Sequence, residues 1–169
     1  MKTMKSVRIK PNPAGKDRNR RGQATASQLG AEWVDLKNEG SVPVDLDGLS
    51  LYHVAYSGAT DNGTWAKVQG FKGSLGAGKV MRVHSGSGPV TALNPADLVG
   101  ADEHVFTYKD NYIWNNDRGD CSALQKDGES DKFDKCWYDA KPPEGVILQR
   151  VNGKFVVSAS SMATAGSRR

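Results

Sequence analysis

The segment YIWNNDRGDCSAL, residues 112–124, gathers two Asn, two Asp, an Arg-Gly-Asp triplet and a Cys. Side chains of these types suit three kinds of chemistry. Asn115, Asn116, Asp117 and Asp120 could converge on one hard cation, with backbone carbonyls completing its shell. Arg118, Gly119 and Asp120 could present an adhesion tripeptide. The same residues also make turns, because Asn and Asp side chains hydrogen-bond nearby backbone and Gly accepts positive φ. On the turn reading, Tyr112, Ile113 and Trp114 finish one strand, 115–119 turn, and Asp120 begins the next strand. No metal is assigned to the cluster, whose four oxygen-bearing residues remain only candidates.

Other segments with chemical potential are weaker. GSLGAGK (73–79) matches the outline of a phosphate-cradling loop. Position 80 is Val where a magnesium-binding hydroxyl belongs, and VMRVHS continues as a strand rather than a helix. A Gly-rich turn entering a strand is the better reading. His53, His84 and His104 lack the spacing of a zinc pair, and no nucleophile-elbow pattern accompanies them. Asp127, Glu129 and Asp131 alternate as calcium loops begin, but the central Gly, the closing Glu and the flanking helices are missing, so DGESDKFD reads as an acidic hairpin tip. Cys121 and Cys136 flank that hairpin. A register pairing Leu124 with Phe133 also sets Cys121 opposite Cys136, close enough for a disulfide in an oxidising compartment and two thiols in a reducing one.

The elements that position these residues are strands. Period-two alternation runs through SVRIK (6–10), EWVDLKN (32–38), VPVDLDGLSLYHVAY (42–56, broken near Asp47-Gly48), KVMRVHS (79–85), NYIW (111–114), CSALQK (121–126), KFDKCWYD (132–139), GVILQRV (145–151) and KFVVSA (154–159). Asn152-Gly153 is a two-residue hairpin signal, and Asn94 followed by Pro95 marks one helical turn. Many short strands with such spacing predict an all-β sandwich of antiparallel sheets. Of the 169 residues, 37% are hydrophobic, enough for one domain.

AEWVDLKNEGSVPVDLDGLSL (31–51), FKGSLGAGKVMRVHSGSG (71–88), YIWNNDRGDCSALQKDG (112–128) and FDKCWYD (133–139) together resemble the lamin-tail domain of bacterial and related proteins. The resemblance runs from about Val7 to Tyr138. It implies an immunoglobulin-like β-sandwich that acts as a non-catalytic interaction module, with no active-site residue to carry over. Arg118 departs from the family pattern, as do the two Cys. The implied organisation is an N-terminal tail (1–6), the sandwich (7–139), an added hairpin (140–159) and a C-terminal tail (160–169).

Charge is distributed unevenly. Residues 1–22 carry +7, residues 150–169 carry +4, and the span between carries −7. Basic ends on an acidic body can bind polyanions, or can dock on the body of a neighbouring copy. The first reading of function is therefore a non-enzymatic structural component that decorates or cements a larger particle or filament, such as a virion, with other protein subunits or itself as partner. The alternative is binding of DNA or another anionic surface through Lys10, Lys16, Arg18, Arg20 and Arg21. No cofactor, small-molecule substrate or membrane span is expected. The N-terminus lacks the apolar segment of a secretory signal, which points to the cytoplasm or an assembled particle, or to an extracellular setting if the Cys pair is oxidised.

Overall fold

Alternating residues become strands when one face can be buried, and here nearly every predicted alternation does so. The computed structural model describes residues 1–158, and the predicted tail 160–169 lies outside them. The strands are β1 (Met4–Lys10), β2 (Trp33–Asn38), β3 (Val44–Asp45), β4 (Leu49–Ala55), β5 (Thr64–Gly70), β6 (Ser74–Leu75), β7 (Val80–His84), β8 (Glu103–Phe106), β9 (Asp120–Lys126), β10 (Lys132–Tyr138), β11 (Leu148–Val151) and β12 (Lys154–Val157). One short helix, α1 (Ala26–Gly30), starts at a capping box in which Thr25 and Gln28 exchange side-chain-to-backbone hydrogen bonds. Asn94 accepts from the Ala96 N–H and opens the single turn Pro95–Asp97, as its position before Pro predicts.

Ten strands form one curled sheet in the order β5-β4-β9-β10-β12-β11-β1-β2-β7-β8, while β3 and β6 pair separately. The fold is all-β and sandwich-like. It is not wholly antiparallel, because β10 and β12 run parallel, as do β7 and β8. Curling brings β1 across the core to β9 and β10. A bulge between Ser6 and Arg8 turns Ser6 toward them, where its Oγ lies 2.7 Å from Ser122 Oγ and its N–H donates to Asp134 Oδ2 at 2.9 Å. Val34, Leu36, Met81 and Val83 from one half therefore pack against Leu49, Leu51, Leu124 and Cys136 from the other.

Three expectations change. Residues 1–6 are no tail, since Met4 is fully buried and opens β1. The hairpin β11–β12 is no appendage, because it sits between β10 and β1 and joins the two halves of the sheet. Its Asn152-Gly153 turn has φ 50° and 76°, the conformation that pair favours. NYIW is not a strand: the N–H groups of Ile113 and Trp114 donate to the Glu32 carboxyl rather than to a neighbouring strand. In compensation β5 and β8, both edge strands, were not evident from their mixed polar composition.

Candidate functional site

The Asn-Asp turn owes its shape to Asp120. This residue begins β9, is 1% exposed, and its carboxylate is saturated with donors. Oδ1 accepts from the N–H groups of Val54 (2.7 Å) and Cys121 (2.8 Å). Oδ2 accepts from His53 Nδ1 (2.9 Å), Asn115 Nδ2 (2.7 Å) and the Asn115 N–H (3.1 Å). A carboxylate so engaged has no lone pair directed at a cation, and Asn115 offers it an amide N–H2 rather than an oxygen. Asn115, Asn116 and Asp117 line an open cleft of about 600 Å³ together with Arg118 and residues 56–59. Of the four candidate oxygen residues, Asp120 is thus committed to protein donors, while the other three share the cleft. Nor can the Arg-Gly-Asp triplet be displayed: Asp120 is buried, and Gly119 (φ 73°) would place a Cβ 2.3 Å from the Tyr138 carbonyl oxygen. Arg118 lies over the Tyr56 ring, 3.9 Å from its centroid, and donates to the Gly58 carbonyl.

His53 and Asp120 have the orientation of a base and its positioning carboxylate. Among the described residues, however, no hydroxyl or thiol hydrogen-bonds to His53, whose ring packs edge-on against Trp114. His84 and His104 form a second pair, Nε2 to Nδ1 at 2.9 Å, with His84 Nδ1 on the Gly30 carbonyl. Burial lowers the pKa of His84 to about 4 and also lowers that of His104. Glu32 is buried, has no cation partner among the described residues, and takes hydrogen bonds from Ser85 and from the N–H groups of Ile113 and Trp114. Desolvation outweighs these bonds and raises its pKa to about 8.

The cysteines do not face each other. A bulge between Lys132 and Asp134 shifts the register by one, so Cys121 pairs with Trp137 and Cys136 with Ser122. Directly paired residues share a face, which puts the two thiols on opposite faces of the sheet. Both are buried and free, and burial pushes both up to about 12.

The basic stretch divides in two. Lys10 is not available to a partner, because its Nζ is 2.7 Å from Asp97, which also accepts from the Trp33 indole. Lys5 pairs with Asp134, Arg8 with Asp35, and Arg150 with Asp134. Asp35 is fully buried and also holds Arg82 through two bonds of 2.7 and 2.9 Å. Much of the attraction between basic ends and acidic body is thus satisfied within one molecule. Lys16, Arg18, Arg20 and Arg21 remain, all exposed, on the loop 11–25. That loop is tied to the body: Tyr112 Oη donates to the Asp17 carbonyl, Gln28 Nε2 to the Lys16 carbonyl, and the Gly15 N–H to Glu144.

A basic cluster and an acidic cluster therefore sit toward opposite ends of the β9–β10 hairpin, with Lys126 beside the acidic turn and Lys67 3.9 Å from Asp127. The basic loop packs at the end where Asp120 pairs with Tyr138, through Glu144 and the adjoining segment. Asp127, Glu129 and Asp131, all exposed, occupy the turn at the other end. Seven-residue strands separate the two by roughly 20 Å.

Aromatic residues missed as functional lie on the outer face of the β5-β4-β9-β10 half. Trp65 and Trp137 are 39% and 43% exposed, with ring centroids 5.9 Å apart. Their floor is Val54, Cys121 and Ala123, flanked by Tyr52 and Tyr56. The signal was present in KFDKCWYD, where the Trp alternates out of phase with buried Asp134, Cys136 and Tyr138. No family model matches the chain, and comparison with curated proteins gives no match either.

Proposed function

We propose that this protein is a non-catalytic interaction module of lamin-tail type that works as an assembly component, joining copies of itself head to tail into a larger particle or filament. The observation that carries this reading is the charge polarity of the hairpin, with a tethered loop bearing Lys16, Arg18, Arg20 and Arg21 at one end and the Asp127, Glu129 and Asp131 turn at the other. Because donor and acceptor patches differ, such a contact is heterologous, and repetition gives a ring or an open filament. Electrostatic complementarity would set the register of the contact and make it salt-dependent. The body supplies rigidity: the loop is anchored by backbone carbonyls of Lys16 and Asp17, so presenting its cations costs little further ordering.

Sedimentation velocity of the pure chain tests this. Oligomers are expected at 50 mM salt, dispersing at 300 mM, and absent in a variant carrying Lys16→Glu, Arg18→Glu, Arg20→Glu and Arg21→Glu. A chain that stays monomeric in low salt and behaves like its charge-reversed variant would remove the reading. Co-sedimentation of that monomer with duplex DNA, abolished by the same four substitutions, would reassign the loop to polyanion binding.

A further inference from the structure

From the outer face of the β5-β4-β9-β10 half we infer a binding platform for a single-stranded nucleic acid, separate from the basic loop and independent of the assembly reading. Two tryptophans on one sheet face, each about two-fifths exposed, are not needed by the core, whose large side chains lie on the opposite side of these strands. Trp137 pairs with Cys121 across β9 and with Lys154 across β12, and Trp65 pairs with Val54 across β4. Val54, Cys121 and Ala123 are small, so the two indoles lean together over them until their centroids are 5.9 Å apart at a tilt of 54°. The floor backs the pair, Lys132 Nζ lies over the Trp65 ring, and each indole stays about two-fifths exposed. A shallow cleft of about 150 Å³ runs between them, bounded by Tyr56 and residues 62–64.

Charge decides what such a platform would hold. Lys132 Nζ stands 4.6 Å from the ring centroids of both Tyr52 and Trp65 and donates to Gln125, and Arg118 covers Tyr56. Lys135 projects from the same face of β10 as Trp137 and is exposed. Lys67 and Lys154 sit at the margins in open ion pairs with Asp127 (3.9 Å) and Asp139 (2.9 Å), which solvent screens. Cations interleaved with stackable rings are the combination that single strands require: bases stack on the indoles while Lys and Arg neutralise the backbone, with little demand on sequence. A neutral sugar would use the rings but not the cations. A duplex would use the cations but could not offer unstacked bases to the rings.

The platform has its own readout, since Trp65 and Trp137 are exposed while Trp33 and Trp114 are buried. Titration of the full chain with a dT12 oligonucleotide should quench tryptophan fluorescence and shield it from iodide. A slope of log K on log salt near −2 is expected if about three phosphates are neutralised. Trp65→Ala and Trp137→Ala should each weaken binding about fivefold or more. Lys135→Glu, at an exposed position that leaves the fold alone, should weaken it and flatten the salt slope. Retention of dT12 affinity by the tryptophan variants, or by Lys135→Glu, would overturn the proposal. So would absence of quenching by dT12, or equal quenching by a neutral cello-oligosaccharide with no salt dependence. The four substitutions in the basic loop should leave dT12 binding to this face in place, which separates failure here from failure of the assembly reading.

Discussion

Glu32 should give the protein an unusual loss of stability toward mild alkali. It is fully buried, Ser85 donates to it at 2.5 Å, and the N–H groups of Ile113 and Trp114 donate at 2.7 and 3.3 Å, with no cation among the described residues to hold its charge. Its pKa rises from 4.5 to about 8, so the folded state keeps a proton that the unfolded chain has released. Stability from this group is complete below pH 4.5 and declines by about 1.4 kcal/mol per pH unit up to pH 8. His84 acts in the opposite sense. Its pKa falls from 6.5 to about 4, so its contribution is present above pH 6.5 and is lost as pH drops toward 4. Below pH 6.5 the two slopes largely cancel, and His104, also lowered, adds to the histidine side. Between pH 6.5 and 8 Glu32 is left alone, and stability should fall by about 2 kcal/mol. With a urea m-value of about 2 kcal/mol per M, the unfolding midpoint drops by about 1 M.

Glu32→Gln removes the titration while keeping the shape. An amide nitrogen in place of Oε2 would face the Trp114 N–H, donor to donor, at a cost of about 1 kcal/mol. The variant should therefore be the less stable protein below about pH 5 and the more stable one above it, by about 2 kcal/mol at pH 6.5 and by more at pH 8. Urea unfolding followed by circular dichroism at half-unit pH steps would show the curves crossing. Parallel curves for wild type and variant across pH 6.5–8 would refute the claim that a buried, proton-holding Glu32 governs this range.

Two further outcomes follow from the sheet. Ending the chain after Gly145 removes β11 and β12, strips β1 and β10 of hydrogen-bonded neighbours and takes Leu148 and Phe155 from the core, so a cooperative urea transition should disappear. Both thiols, held near pKa 12 on opposite faces, should resist DTNB in native protein and react as two equivalents in urea; a bridged pair or prompt native labelling would contradict the one-residue shift at Lys132.

Alternation made β2, β9 and β10 legible because a period of two leaves one face apolar, and Asn152-Gly153 specified its turn through backbone conformation alone. Three bulges among the described strands escaped that reading. Each inserts one residue without breaking the alternation that surrounds it, yet the one before Asp134 moves Cys121 and Cys136 to different faces. The mixed polar residues of β5 suit an edge strand, where only one neighbour and one partly covered face constrain them. Glu32 was opaque for another reason: its burial depends on Ile113 and Trp114, some eighty positions away, folding their N–H groups onto it. The basic stretch looks continuous in the sequence, but β1 commits Lys5, Arg8 and Lys10 to the buried acids Asp134, Asp35 and Asp97, while the cations of the following loop face outward. The alternation anticipated an all-β, sandwich-like fold, but nothing in it placed residues 148–157 in the middle of the sheet.

The placement of β11 between β1 and β12 also sets an order in time. Met4–Lys10 leaves a ribosome long before its partner, because it hydrogen-bonds through Arg8 and Ile9 to Gln149 and Leu148, about 140 residues further along the chain. At roughly 5–20 residues per second the first strand waits on the order of ten seconds with one edge open. During that interval β1 and β2 can pair, but the sheet cannot close until β11 has emerged. Arg8 and Lys10, charged side chains on that waiting strand, keep it from being an uninterrupted apolar edge until its partner arrives.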